Sequence, residues 1–242
     1  VELQAADAGE REALCRVLIP EDVMGPERER AADLIAPEGS GAEVRLRGPQ
    51  AVGADGTLVD WRDPEPGLRE LLRTNPRYRL ALGRAFRPLR EMLARDLIQA
   101  VASRNAAIAA ISALPDVIPN PLSLVLALGE MGSDTVLLTA NQMGLAFELA
   151  ALRGEPVGWR AQAAPLAAIV VGALGWRTLA RELVGLIPAG FGLAAKSGIA
   201  YSATLAVGTA LWRYPRSSRR RRRPFLKPET RTLAATGQRQ TA

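Results

Sequence analysis

Thirty residues from Leu183 to Trp212 carry a single charge, Lys196. A helix needs roughly 20 apolar residues to cross a hydrocarbon core, so this stretch is long enough to span. Trp212 and Tyr214 close it, and the run Arg219, Arg220, Arg221, Arg222 and Arg223 follows. Aromatics and arginines in that order are what a membrane–water boundary carries on its cytoplasmic side. Ala194, Gly198, Ser202, Ala206 and Ala210 recur at every fourth position, a face on which another helix can come close. The stretch therefore predicts a membrane-associated helix with a basic membrane-surface exit.

Charge is segregated along the 242 residues. Residues 1–60 hold 13 acidic against 6 basic side chains, a net of −7, whereas residues 211–242 hold 10 against 1, a net of +9. The overall +6 thus describes the tail and not the whole surface. With no His and one Cys, Cys15, the chain can assemble neither the usual zinc ligand sets nor a triad with a His base. No metal, cofactor or catalytic residue is expected, and no enzyme activity.

Residues 1–60 read as a small acidic α/β domain. Cys15–Ile19 is expected as a short buried strand, Glu27–Ala36 as a helix with Ala31, Leu34 and Ile35 inward, and Glu43–Arg47 as a half-exposed strand. Asp55-Gly56 marks a turn before a strand at Thr57–Val59, so a βαβ unit or a small split sheet follows. Residues 61–76, broken by Pro64, Pro66 and Pro76, are expected as a linker with one short helix.

Residues 77–214 predict a helical, membrane-associated bundle. Over Arg77–Arg104, Leu82, Phe86, Leu89, Leu93, Leu97 and Val101 form one apolar stripe, with Pro88 expected to kink the helix. Its arginines, Arg84 and Arg87 among them, fit either a solvated face or a membrane surface drawn to anionic headgroups. Three prolines over 115–121 turn the chain into a second helix, Leu122–Leu152. A polar stripe of Ser123, Glu130, Asp134, Asn141 and Glu148 runs along it. A third helix, Leu166–Ile187, and the one opened above complete four helices in two hairpins. The fold class is mainly α: a four-helix bundle of two helical hairpins, preceded by a small α/β domain. Residues 215–242 form a basic tail, expected to be disordered.

Charges inside a membrane persist only with partners, so Glu130, Asp134, Asn141, Gln142 and Lys196 are expected as a structural polar cluster, Lys196 pairing with Asp134 or Glu130. Three catalytic readings are weaker. Gly190–Ser197 departs from a phosphate loop at Ala195, where that loop needs glycine. Glu130 and Asp134 as acid and base lack a nucleophile or metal set. Lys196 with Ser202 or Tyr201 is a bare Ser–Lys echo. The arginine run could also hold nucleic acid through phosphates, but no stacking platform or reading module accompanies it.

Asn105 through Pro115, Asp134 with Asn141-Gln142, Gly154, Arg181-Glu182-Leu183, Ile187-Pro188, Gly190, Lys196, Ala200-Tyr201, Thr204, Gly208 and Tyr214 together form a long pattern. By this pattern the chain, over roughly 95–214, resembles the YcjF-like domain-of-unknown-function family of bacterial membrane proteins. Members commonly accompany Era-like or dynamin-like GTPase domains. The resemblance implies a non-enzymatic adaptor or regulatory partner, plausibly for a GTPase, in the bacterial inner (cytoplasmic) membrane with both termini cytoplasmic. Anionic lipids are the expected partners. The alternative is a soluble or peripheral helical domain that binds anionic lipid or nucleic acid through its basic helix and Arg-rich tail.

Overall fold

The computed structural model describes residues 1–112, 121–172, 175 and 192–213, with backbone alone at 121–135 and 192–193. It is mainly helical, with a three-stranded parallel sheet near the N-terminus. Strands β1 (Glu2–Gln4), β2 (Arg45–Arg47) and β3 (Thr57–Leu58) lie in that order, with Leu3 opposite Leu46 and Leu46 opposite Thr57. Leu3 and Leu46 are fully buried, so the sheet contributes its short apolar centre to the core. The strands expected at 43–47 and 57–59 are present.

The strand expected at Cys15–Ile19 is a correction: those residues finish α1 (Ala8–Leu18). Asp7 caps this helix by accepting the Glu10 N–H at 2.7 Å, and the Glu10 carboxylate reaches back to the Ala6 N–H at 2.5 Å. Glu10, Leu14 and Leu18, four apart, are its buried side. A short apolar run cannot distinguish strand from helix, and here the cap decides. Next, α2 (Gly25–Ala32) buries Ala31, while Leu34 lies beyond its end and is exposed. The β2–β3 connection contains no helix. It turns at Gly56, whose φ of +131° and approach to the Arg45 carbonyl both exclude a side chain.

The stretch expected as a linker carries α3 (Pro64–Thr74), which starts with proline in its first turn. Leu68, Leu71 and Leu72 on one side of it are buried. The helix expected over 77–104 is two helices, α4 (Arg79–Ala85) and α5 (Arg87–Ser112). Between them Phe86 is extended at φ −116° and ψ 121°, with its ring buried. Pro88 has no N–H to give, so it sits in the first turn of a new helix instead of kinking a continuous one. Along both helices Leu82, Phe86, Leu89, Leu93 and Val101 are buried, as the apolar stripe requires.

Helix α5 is the spine. Helices α6 (Pro121–Leu152) and α8 (Gly192–Arg213) pack along it, and α7 (163–172) covers α6 and α8 through Leu166 and Ile169. Gly208 makes the α8–α5 approach possible, because an added Cβ would lie 2.7 Å from Ile98 Cγ2. One hydrophobic core runs from Leu3 and Leu14 through Leu71 and Phe86 to Leu145 and Leu152. Ion pairs join the same regions at the surface. Arg87 meets Asp22 at 2.7 Å, Arg90 meets Glu27 at 2.8 Å, and Arg69 meets Asp96 at 3.2 Å.

Two further expectations are corrected. Among the described residues no helix is long and apolar enough to cross a membrane, which overturns the transmembrane helix and with it the basis for placing the chain in the inner membrane. In α8 the physical reason is its small and polar content: Lys196, Ser197, Ser202, Thr204 and Thr209 dilute the apolar residues. The small-residue face is also turned the other way. Ala194, Gly198, Ser202, Ala206 and Ala210 are all exposed, and the packed face is Ala203, Thr204 and Gly208.

The shared core makes a definite demand. Phe86→Ala should cost about 3–5 kcal/mol. In chemical denaturation, tryptophan fluorescence and far-ultraviolet dichroism should still report one common transition, shifted to lower denaturant. Separate transitions for sheet and bundle would show that the two interiors are independent.

Candidate functional site: a polar seam and a basic end

Apolar helices rarely place an amide at their centre without a partner, since an unpaired buried amide costs more than the bond contributes. Asn105, wholly buried on α5, has its partners on two other helices. Its Nδ2 donates to Thr204 Oγ1 on α8 at 2.9 Å and to the Leu138 carbonyl on α6 at 3.4 Å. Its Oδ1 accepts from Asn141 Nδ2 at 2.7 Å, and Gln142 Nε2 donates to the same Thr204 hydroxyl at 3.2 Å. The four side chains form a seam across α5, α6 and α8, with Gln142 and Thr204 also buried.

Of the predicted cluster, Asn141 and Gln142 are in this seam. The side chains of Glu130 and Asp134 lie outside the described residues, as does their pairing with Lys196, which is half-buried in the opening turns of α8. Asn105 and Thr204 join Asn141 and Gln142 from outside the predicted cluster. Their signal was an amide and a hydroxyl inside the runs NAAIAAISAL and GIAYSATLAV, which only the fold brings together.

At the C-terminal end of α6, Arg153 reaches across to α8. It donates to the carbonyls of Leu211, at 2.8 Å, and Trp212. Its guanidinium carbon lies 4.6 Å from the centre of the Trp212 ring. A cation on the last carbonyls of a helix is favourably placed against its dipole. Arg84 sits beside Gly154 at the same end, and Arg213 is exposed there. Of the predicted membrane-surface residues, Arg84 is exposed, Arg87 is held by Asp22 and Glu91, and Trp212 is half-buried under Arg153. Tyr214 and Arg219, Arg220, Arg221, Arg222 and Arg223 lie outside the described residues.

The carboxyl edge of a parallel sheet is the customary ligand position in α/β folds. Here the chain fills it with its own side chain. Glu10, buried, accepts from the Ala6 N–H and from the Gln50 N–H at 2.7 Å, and an added Cβ at Gly48 would collide with it. The near-phosphate-loop motif fares no better, because residues 192–197 are already helical. Glu2 does similar structural service nearby. It is buried and accepts from the N–H groups of Gly39 (2.9 Å) and Ala42 (3.1 Å) and from the Ser40 hydroxyl (3.1 Å). The Gly39 N–H, followed by Ala42, Ser40 and Arg45, outweighs burial and holds the Glu2 carboxyl below its ordinary 4.5.

No protein-family model, curated protein or solved structure matches this chain.

Two measurements test these assignments. Asn105→Ala should cost about 1–3 kcal/mol, because it strands the Asn141 amide and leaves Thr204 with Gln142 as its one donor in the seam. A double-mutant cycle with Thr204→Val should show strong coupling, and additive losses would mean that the seam is not one unit. Glu2 binds its proton more weakly in the folded chain, so its contribution is full above pH 4.5 and is lost as pH falls through the lower folded value. Glu2→Gln should therefore flatten the acid limb of melting temperature against pH, and an unchanged slope would exclude Glu2 as its origin.

Proposed function

We propose that this chain is a binding module and not an enzyme, and that it attaches peripherally to an anionic lipid surface through the basic end of its helical part. The observation that carries the reading is the clamp of Arg153 on the last carbonyls of α8. It fixes the point from which the sequence proceeds to Arg216 and Arg219–Arg223, beside Arg84 and Arg213. A cluster of basic residues next to a fixed exit is the form of an electrostatic surface anchor. The arginines at the start of α5 contribute less to that surface, since Arg87 and Arg90 are committed to Asp22 and Glu27.

The finer architecture we propose is a four-helix bundle of two hairpins, α5–α6 and α7–α8. The resemblance to the YcjF-like family belongs to the same proposal. Four residues of its pattern, Asn105, Asn141, Gln142 and Thr204, meet in one seam, which supports reading the pattern as helix packing. On that resemblance the module would act as adaptor or regulator for a partner such as a GTPase, with the acidic N-terminal region facing away from the lipid.

Flotation with vesicles tests the attachment. The full chain should float with phosphatidylserine-containing vesicles at low salt, remain behind with phosphatidylcholine alone, and be released at high salt. Replacing Arg219, Arg220, Arg221, Arg222 and Arg223 by Gln should abolish flotation. Binding to duplex DNA without any retention on anionic vesicles would overturn the lipid reading and assign the basic end to nucleic acid.

A further inference from the structure

Between α6, α7 and α8 the packing leaves a half-open groove of about 280 Å³. Ala146 and Ala150 on α6 and Ala168 on α7 are too small to fill it, and Leu149, Ile169 and Leu211 wall it. Its polar groups, Arg153, Glu155 and Gln162, all gather at the end where α6 stops. From Ala146 to Arg153 the slot follows α6 for about 10 Å. Apolar-walled grooves take apolar guests, and a few polar groups at the mouth set their orientation.

The charges at the mouth define the guest further. Arg153 is held from behind by the α8 carbonyls and the Trp212 ring. Its Nη1 lies 3.7 Å from a Glu155 carboxylate oxygen, a loose pair at the groove rim. An acidic group entering there would meet the guanidinium edge that Glu155 now faces.

We propose that this groove is a binding site for a single medium-length acyl chain with an acidic head, its methyl end at Ala146 and its head at Arg153. A zigzag alkyl chain advances somewhat less than its ~1.5 Å bond length per bond, so the slot accommodates about eight carbons. Glu155 competes for the same guanidinium and so limits affinity for the acid. The site is independent of the tail arginines, and its titration does not depend on surface attachment.

Octanoate is the ligand to titrate into the purified full chain by calorimetry. One-site, saturable binding is expected, and Ala168→Phe, which plugs the slot from an exposed position, should abolish it while leaving the melting temperature in place. Glu155→Gln should tighten octanoate several-fold and leave octanol unchanged. Absence of saturable binding, binding indifferent to Ala168→Phe, or equal effects of Glu155→Gln on acid and alcohol would each overturn the proposal. Flotation of Ala168→Phe with phosphatidylserine vesicles assigns the source of the chain: reduced retention means a bilayer lipid, and full retention means a free acid.

Discussion

A buried amide has to be satisfied from all sides, and Asn105 is satisfied only when three helices stand in one register. The bundle is otherwise rich in alanine and glycine, whose side chains hold little shape to fix one helix against another. Sliding α8 by a residue would move Thr204 away from both Asn105 and Gln142 and leave buried polar groups without partners. Apolar contacts supply attraction between these helices, and the seam selects among the arrangements that attraction would allow. Gly208 then lets α8 settle against Ile98 and Leu145 at the distance the seam requires.

The acidic N-terminal region and the basic start of the bundle look like separate bodies when charge is read along the chain. In three dimensions the charges meet. Asp22 and Glu27 answer Arg87 and Arg90, and under these surface pairs the leucines of α3 join the sheet to α5. Exposed ion pairs contribute little each, so the continuous apolar interior beneath them is what binds the two regions.

The apolar stripe of α4 and α5, the strands at 45–47 and 57–58 and the ends of α6 were legible because periodicity, turn residues and proline speak locally. What the sequence concealed depends on partners. The run Cys15–Ile19 suits either strand or helix until Asp7 and Glu10 are seen to cap it. The period-four set from Ala194 to Ala210 is real, yet on α8 the side presented to α5 and α6 is the one bearing Thr204 and Gly208. Small residues mark a face that could be approached, not one that is. The candidate site was half legible: Asn141 stood out in a polar stripe and Gln142 in the polar cluster, whereas Asn105, Thr204 and Arg153 acquire meaning only from the helices across from them. The membrane reading failed for a related reason, since low charge along α8 is not the same as sufficient apolarity.

The interior that begins at Leu3 and Leu14 is completed by Leu145, Leu149 and Leu152. On a ribosome the sheet region therefore emerges long before the side chains that finish its enclosure. Until α6 has been synthesised, the sides of α4 and α5 that it covers, such as Gly83 beside Leu152, stay open to solvent or to whatever chaperone is at hand. Final closure is thus a late event in synthesis, begun by α6 and finished only when α8 brings Thr204 to Asn105 and Gln142.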